Sequence, residues 1–359
     1  MVQKINVGIL FGGKSSEHEV SRVSASSIIK NISKDKYEVY NIGITKNGEW
    51  FLFSGDVSEI SSGKWEENTG NKKAFIAPDT YNKGLTVIDD SGKAEFIKLD
   101  VVIPVLHGKN GEDGAIPALL QLANIPFVGC GMGAASACMD KVITNSVLTY
   151  HGIDKPKFNW FYFYDFQNDA TKYIEKTEKI IKKYPMFVKP ANAGSSVGIS
   201  KANNREELIE SVYIAAKEDN KILVEEGIDG QEVECAVLGN NELLASTVGE
   251  IAPSNDFYDY DAKYLSGSSE LYIPAKISKD VAEKVREIAK KAYKVMGCSG
   301  LSRVDFFVEK GTNRVVLNEI NTFPGFTDIS MYPKLMEHSG IKFTELIDKL
   351  IALAMSRGN

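Results

Sequence analysis

Cysteine and histidine are scarce in this chain, with four of each in 359 residues. Cys130, Cys138, Cys235 and Cys298 show no CxxC spacing, and His18, His107, His151 and His338 are equally dispersed. Neither a disulfide framework nor a zinc site is therefore expected, and the cysteines read as ordinary buried thiols. Long apolar runs are missing too. The longest, such as VVIPVL, fall far short of the roughly 20 residues that a bilayer demands, and the opening MVQKINVGILFGG has no signal-peptide layout. We expect a cytoplasmic protein with no membrane partner. No long basic run occurs and the formal net charge is −6, which argues against nucleic acid as the main partner. A phosphate ligand would need a local basic pocket. Internal repeats and low-complexity tracts are also absent. What the chain has is 43% hydrophobic residues, enough for two or three domains with real cores.

The apolar run INVGILF predicts a buried strand, and SRVSASSIIKNI after a Gly-rich loop predicts a helix, together a βα unit. YEVYNIGIT, EWFLF and LDVVIPVLHG add strands, AIPALLQLAN adds a helix, and PFVG closes an α/β domain over 1–129. Within it, residues 55–97 are polar and weakly patterned, an insertion with short strands. One helix is expected over 132–152, then a strand WFYFYDF, a Lys-rich helix from Ala170, a strand MFVK, a Gly-Ser loop and a helix REELIESVYIAAKED. These make a central unit over 130–222. From about Lys221 the strands ILVEE, EVECAVLG and ELLASTVGEI predict an antiparallel meander. A long loop from Ala252, a helix KDVAEKVREIAKKAYKVMG, two strands and two closing helices complete a unit over 223–359.

Residues 8–15, GILFGGKS, formally match the phosphate-binding P-loop pattern. Gly8 lies inside the apolar strand, however, and no apolar strand ending in Asp follows, so this reading is rejected. The loop can still be functional, because Ser16, Glu17 and Glu19 lead into a helix at the C-terminal end of a strand, where α/β sheets bind ligands. Against this, Glu17 could simply serve the helix terminus. LHGKNGEDG is a second strand-end loop, with His107, Glu112 and Asp113 among three glycines. The sharper signal is SRVDFFVEKGTNRVVLNEIN. Period-two alternation puts Arg303 and Asp305 on one face of a strand, with Phe306 on the other. Val315, Leu317, Glu319 and Asn321 are expected to share a face of the next strand. A three-residue loop at 311–313 sets Asp305 opposite Glu319 and Arg303 opposite Asn321. Two carboxylates and an amide oxygen then converge beside an arginine, a donor set that suits magnesium completed by substrate phosphates. Lys189, after MFV, supplies a point charge for phosphate, and Gly194, Ser195, Ser196 and Gly198 supply backbone N–H groups that can fold over it. Lys141 offers a second cation, and ILVEEGIDGQE gives acids suited to adenine and ribose. The pieces describe an ATP site between two α+β units, equipped for phosphoryl transfer without a P-loop.

In this order GGKSSEHEVS, HGKNGEDG, MDK, VKPANAGSSVG, FYDYDAKY, GLSRVDFF and NEINTFPGFTDISMYP resemble the ATP-grasp fold, and specifically the D-alanine:D-alanine ligase family, over nearly the whole chain. The resemblance implies ATP-grasp units behind an N-terminal α/β domain, and an acyl-phosphate route to a dipeptide. It implies ATP phosphates on Lys141 and Lys189, helped by Ser195 and Ser196, with Glu225 and Ile228 near the adenine and Glu232 on the ribose. Asp305, Glu319 and Asn321 would bind two magnesium ions, or manganese. Glu17 would orient the ammonium of the first D-alanine beside His107, and Lys263 would neutralise the transferring phosphoryl group. Arg303 and the N–H of Gly325 would stabilise the oxyanion, Ser330 would take the second carboxylate, and Tyr264, Ser195 and Glu17 would form a hydrogen-bonded triad closing the site. A homodimer is implied as well. The related vancomycin-resistance ligases that use D-lactate replace the loop tyrosine, which here is Tyr264. Those that use D-serine tend to carry arginine after the serine, where this chain has Met331. Both positions favour D-alanine over D-serine or D-lactate. Asp328 departs from the neutral residue expected there. The competing class is a regulatory protein that closes on ATP without chemistry, which would need neither Arg303 beside a metal pair nor a Lys263–Tyr264 loop.

Overall fold

The computed structural model describes residues 3–194, 196–252 and 270–357. Ser195, Lys263 and Tyr264, and with them the FYDYDAKY segment, lie outside the described residues.

In chain order the N-terminal unit contains β1 (Ile5–Gly12), α1 (His18–Asn31), β2 (Tyr37–Ile44), β3 (Trp50–Phe53), α2 (Val57–Ser62), β4 (Lys72–Ile76), β5 (Gly84–Ile88), β6 (Ala94–Lys98), β7 (Val101–Pro104) and α3 (Ala115–Leu122). β1 reads as a continuous apolar run because it pairs in parallel with β2 on one side and β7 on the other, at the buried end of the sheet. The sheet order is β6-β5-β4-β3-β2-β1-β7, so the weakly patterned 55–97 stretch extends the sheet antiparallel from β3. The expected closing strand at PFVG contributes one isolated bridge, Val102 with Phe127.

The expected single helix over 132–152 is two helices, α4 (Met132–Met139) and α5 (Lys141–Tyr150), broken at Asp140. Asp140 is extended, and its carboxylate accepts from the N–H groups of Val142 and Ile143, so a capping side chain ends one helix by starting the next. Next come β8 (Phe158–Tyr162), α6 (Phe163–Asn168), α7 (Ala170–Ile181), β9 (Met186–Pro190), β10 (Ser200–Ala202), α8 (Arg205–Ala215) and β11 (Lys221–Glu226). The strand expected to reach Phe166 stops at Tyr162. The helical turn that follows carries Phe166 back over Phe161, with stacked rings 5.4 Å apart. β11 pairs with β8 and β9 in a four-stranded sheet ordered β10-β9-β11-β8, and the expected meander does not include it.

A five-stranded sheet, β14-β13-β12-β15-β16, is built from β12 (Gly230–Gly239), β13 (Leu244–Ala252), β14 (Glu270–Tyr272), β15 (Gly300–Glu309) and β16 (Val315–Asn321). Helices α9 (Lys279–Val295), α10 (Met331–His338) and α11 (Phe343–Ser356) complete it. One core runs without a break from β1 through β12 and β15 to α10 and α11, joining Val7 and Ile9 to Leu301, Tyr332 and Leu350. The four-stranded sheet has a core of its own, confined to residues between Phe161 and Val224. Among the described residues no helix is long and apolar enough to cross a membrane.

Candidate active site

The sheets enclose a cavity of about 690 Å³. Its N-terminal wall begins where β1 ends. Gly8, the first glycine of the apparent P-loop, is embedded in that strand beside Leu99, Ile42 and Val102, and Lys14 lines a separate, smaller hollow, so the loop is no phosphate cradle for the large cavity. Glu17 sits at the N-terminus of α1 without capping it through its side chain. The hydroxyl of Ser15 accepts from the Glu17 N–H and donates to the carbonyl of His107, which ties the two strand-end loops together. Glu17 is buried, and its carboxylate lies so close to the loops opposite that a Cβ on Gly108 would come within 2.4 Å of Oε2, and one on Gly194 within 2.8 Å. These two glycines are what that close approach requires.

His107 is buried, with Nε2 3.3 Å from the Ser24 hydroxyl, and burial brings its imidazole down to about 4 although a hydrogen bond to the backbone of Phe323 opposes the shift. Glu112 accepts from the Gly108 N–H at 2.8 Å. Burial, and then the charge of Glu17, push its carboxyl well above the ordinary carboxylate range. Two acids therefore face each other at the end of the cavity with one of them inclined to keep its proton. The loop around Glu112 stood out in the sequence, but nothing there separated Glu112 from Asp113, whose carboxylate turns to the N–H groups of Asn110 and Ala115.

Lys189 is on β9, and its ammonium pairs at 2.6 Å with Glu225 on the neighbouring β11. Burial alone would lower Lys189, but Glu225 raises it instead. Glu225 in turn stays low against the cost of burial because Lys189 and Lys155 lie beside it, and its second oxygen accepts from Asn145. Lys141, the first residue of α5, is held through its backbone N–H by Ala191 and through its ammonium by the carbonyl of Ala193, at 2.6 Å. Ser196, at φ 60°, Ile228 and Glu232 line the same cavity. Lys155 and Asn145 went unnoticed in the sequence, since each sits singly in a segment with no motif.

On the opposite wall, Asp305 pairs with Glu319 and Arg303 with Asn321, as the sequence predicts, although the path between differs. The turn spans one residue more than expected, Phe306 pairs with Leu317, and Asn318 forms a bulge that restores the register. The bulge also overturns the expected common face. Val315 and Leu317 pack into the core under α9, whereas Glu319 and Asn321 line the cavity. Arg303 donates to both oxygens of Asp305, at 2.8 and 2.7 Å, and lies 3.0 Å from Glu234, a partner the sequence did not reveal. Asn321 donates its amide N–H to Asp305, so its amide oxygen is the atom that could ligate a cation. Among the described residues no three His, Cys, Asp or Glu side chains group as metal ligands. Two carboxylates and an amide oxygen instead fit a hard cation that takes its remaining ligands from phosphate and water.

Beyond β16, a Cβ on Gly325 would meet the Ser330 hydroxyl at 2.8 Å. That hydroxyl accepts from the N–H of Thr327 and makes no cap for α10. Met331 is buried against Gly249 and also borders the cavity. Asp328 turns away and accepts from Ser27 of α1, so the unexpected carboxylate joins two units and stays out of the cavity lining.

Two family models match the chain: D-ala D-ala ligase N-terminus over residues 6–130 and D-ala D-ala ligase C-terminus over 147–352. A D-alanine–D-alanine ligase of Caldicellulosiruptor bescii is 50% identical over 354 residues, covering 99% of this chain and 96% of the relative. That of Acetivibrio thermocellus is 49% identical over 371 residues, covering 100% and 98%. Among solved structures, the VanG D-Ala:D-Ser ligase from Enterococcus faecalis superposes with a TM-score of 0.89 at 40% identity, over 98% of this chain and 100% of that one. The D-alanine-D-alanine ligase from Coxiella burnetii does so with a TM-score of 0.84 at 33% identity, over 99% and 95%.

Proposed function

The chain belongs to the D-alanine–D-alanine ligase family and has its ATP-grasp fold, and from that premise we propose how its residues divide the work. The reaction is the ATP-dependent joining of two D-alanine molecules, with ADP and phosphate as the other products, for peptidoglycan precursor synthesis. The observation that carries the residue assignment is the opposition of two walls in one cavity, with Lys189 and Lys141 on one side and Arg303, Asp305, Glu319 and Asn321 on the other.

Glu17 holds the ammonium of the first D-alanine beside His107, so that its carboxylate attacks the γ-phosphorus and forms an acyl phosphate as ADP leaves. Lys141, Lys189, Ser195, Ser196 and Lys263 hold the phosphates, Glu225 and Ile228 the adenine, and Glu232 the ribose. Asp305, Glu319 and Asn321 hold two magnesium or manganese ions, which offset phosphate charge when bound. The amine of the second D-alanine, its carboxylate on Ser330, then attacks the acyl carbon and expels phosphate. Arg303, oriented by Asp305 and Glu234, and the Gly325 N–H receive the charge that develops on the carbonyl oxygen. Tyr264, Ser195 and Glu17 close the site against water, which would hydrolyse the acyl phosphate. The buried, apolar setting of Met331 supports D-alanine over D-serine as the second substrate. Family membership supports a homodimer, and the need for ATP supports a cytoplasmic location.

The test is incubation with ATP, magnesium and D-alanine, alone or mixed with D-serine or D-lactate, with products identified by mass. D-Alanyl-D-alanine as the main product in every mixture is expected. A predominant mixed product would overturn the substrate assignment, and nucleotide binding without any ligation would favour the regulatory reading.

A further inference from the structure

Lys155 has no part in the scheme above, yet it is a buried lysine, 5% exposed, in the extended segment between α5 and β8. The residue before a proline is driven to extended backbone, and Lys155 precedes Pro156, so side chains alternate: Ile153 and Lys155 point inward and Asp154 outward. Its ammonium donates to the carbonyl of Asn318, the bulge residue of β16. Around it stand Glu225 of β11, Lys189 of β9, Glu319 of β16 and Lys141 of α5.

The same short segment is fastened to both sheets. On the β16 side, the Leu317 N–H donates to the Asp154 carbonyl at 2.9 Å, and Arg314 makes a two-pronged pair with the Asp154 carboxylate at 2.7 and 2.9 Å. On the β11 side, the Glu226 N–H donates to the Lys157 carbonyl at 2.9 Å, and the Lys157 N–H to the Glu226 carboxylate at 3.0 Å. Lys155 is thus the buried cation at the seam of the two sheets that face each other across the cavity, with Arg314, which also reaches Glu226 at 3.6 Å, as the outer one. It holds the one carbonyl whose place in the bulge decides which way Glu319 and Asn321 point.

We propose that Lys155 is a positioning residue for the nucleotide: by pinning the Asn318 carbonyl it keeps the bulge that turns Glu319 and Asn321 into the cavity. This rests on the nucleotide lying between the two sheets, as proposed above.

Full-length Lys155→Met and Asp154→Ala proteins, compared with wild type, test it by calorimetric titration with Mg-ADP, by KM for ATP and for D-alanine, and by thermal unfolding. Loss of one charge-assisted hydrogen bond predicts that Lys155→Met weakens Mg-ADP binding and raises KM for ATP by about ten-fold. Its KM for D-alanine should stay near the wild-type value. Asp154→Ala removes only the outer clamp from Arg314, and should lower Tm with Mg-ADP affinity unchanged. Wild-type affinity for Mg-ADP in Lys155→Met, whatever its Tm, overturns the proposal. Should that variant fail to fold, Lys155→Gln, too short to reach Asn318, is judged by the same affinity with the same two outcomes. Failure of the wild type itself to bind Mg-ADP would refute the nucleotide site beneath the proposal, so the two failures are distinct.

Discussion

At the scale of single residues, the end of the cavity proposed to receive the first substrate is set by two neighbouring acids. Glu112 is raised by burial and by the charge of Glu17, so at neutral pH the pair retains a proton that two separate exposed carboxylates would have lost. An ammonium placed between them stabilises the ionised form and drives that proton off. D-Alanine binding near pH 7 should therefore release a proton, seen by calorimetry as a binding heat that varies with the ionisation enthalpy of the buffer. Glu112→Gln should remove that dependence while Glu17 still binds the ligand. A buffer dependence that survives the substitution would place the proton elsewhere. The glycines opposite Glu17 belong to the same device, since a side chain at Gly108 or Gly194 would displace the carboxylate from the position proposed to receive the ammonium.

At the scale of elements, two local breaks aim the functional side chains. Asp140 breaks the helix and thereby puts Lys141 at the first turn of α5, facing the loop after β9, and it also pairs with Lys221 at 2.7 Å. Asp140→Ala removes a cap with two accepted hydrogen bonds, at a cost of about 1–2 kcal/mol in denaturant unfolding. KM for ATP should rise with it, because Lys141 loses its fixed start. A stability loss with KM unchanged would make the cap structural only. Neither break was evident in the sequence, for a common reason. Asp140 interrupts an apolar pattern that continues in phase through α4 and α5, so periodicity reports one helix. In the hairpin, one extra residue in the turn and the bulge at Asn318 cancel, so the pairing of Asp305 with Glu319 came out right while the facing of Leu317 did not. Alternation is a rule about neighbours, and a bulge breaks it without leaving a glycine or proline to mark the place.

At the scale of the whole molecule, the three sheets are unequally joined. β1 of the N-terminal unit and β12, β15, α10 and α11 of the C-terminal unit share one apolar core, and Ser27 with Asp328 and Lys36 with Asp348 fasten the same junction. The sheet that carries Lys189 and Glu225 has a core closed on itself, and meets the rest through the seam at residues 154–157, through α5, whose Val142 packs with Ala191 and Leu223 and whose Asn145 and cap Asp140 bond Glu225 and Lys221, and through the loops over the cavity. Which apolar elements share a core depends on contacts between segments more than 200 positions apart, such as α1 and β7 with α11, and pattern along the chain is silent about those. A self-contained core joined by few apolar contacts opens more readily than one continuous with its neighbours. In the free protein, amides of β9 and β11 should exchange with deuterium faster than those of β1 and β12. A non-hydrolysable ATP analogue with magnesium, at about one hundred times its Kd, stabilises the closed form by about 2.7 kcal/mol and should slow β9 and β11 up to about a hundred-fold. β1 should change less. Equal protection of all three sheets in the free protein, measured by mass spectrometry, would mean that the nucleotide enters a site already rigid on both sides, and that closure of the central sheet is no part of the catalytic cycle.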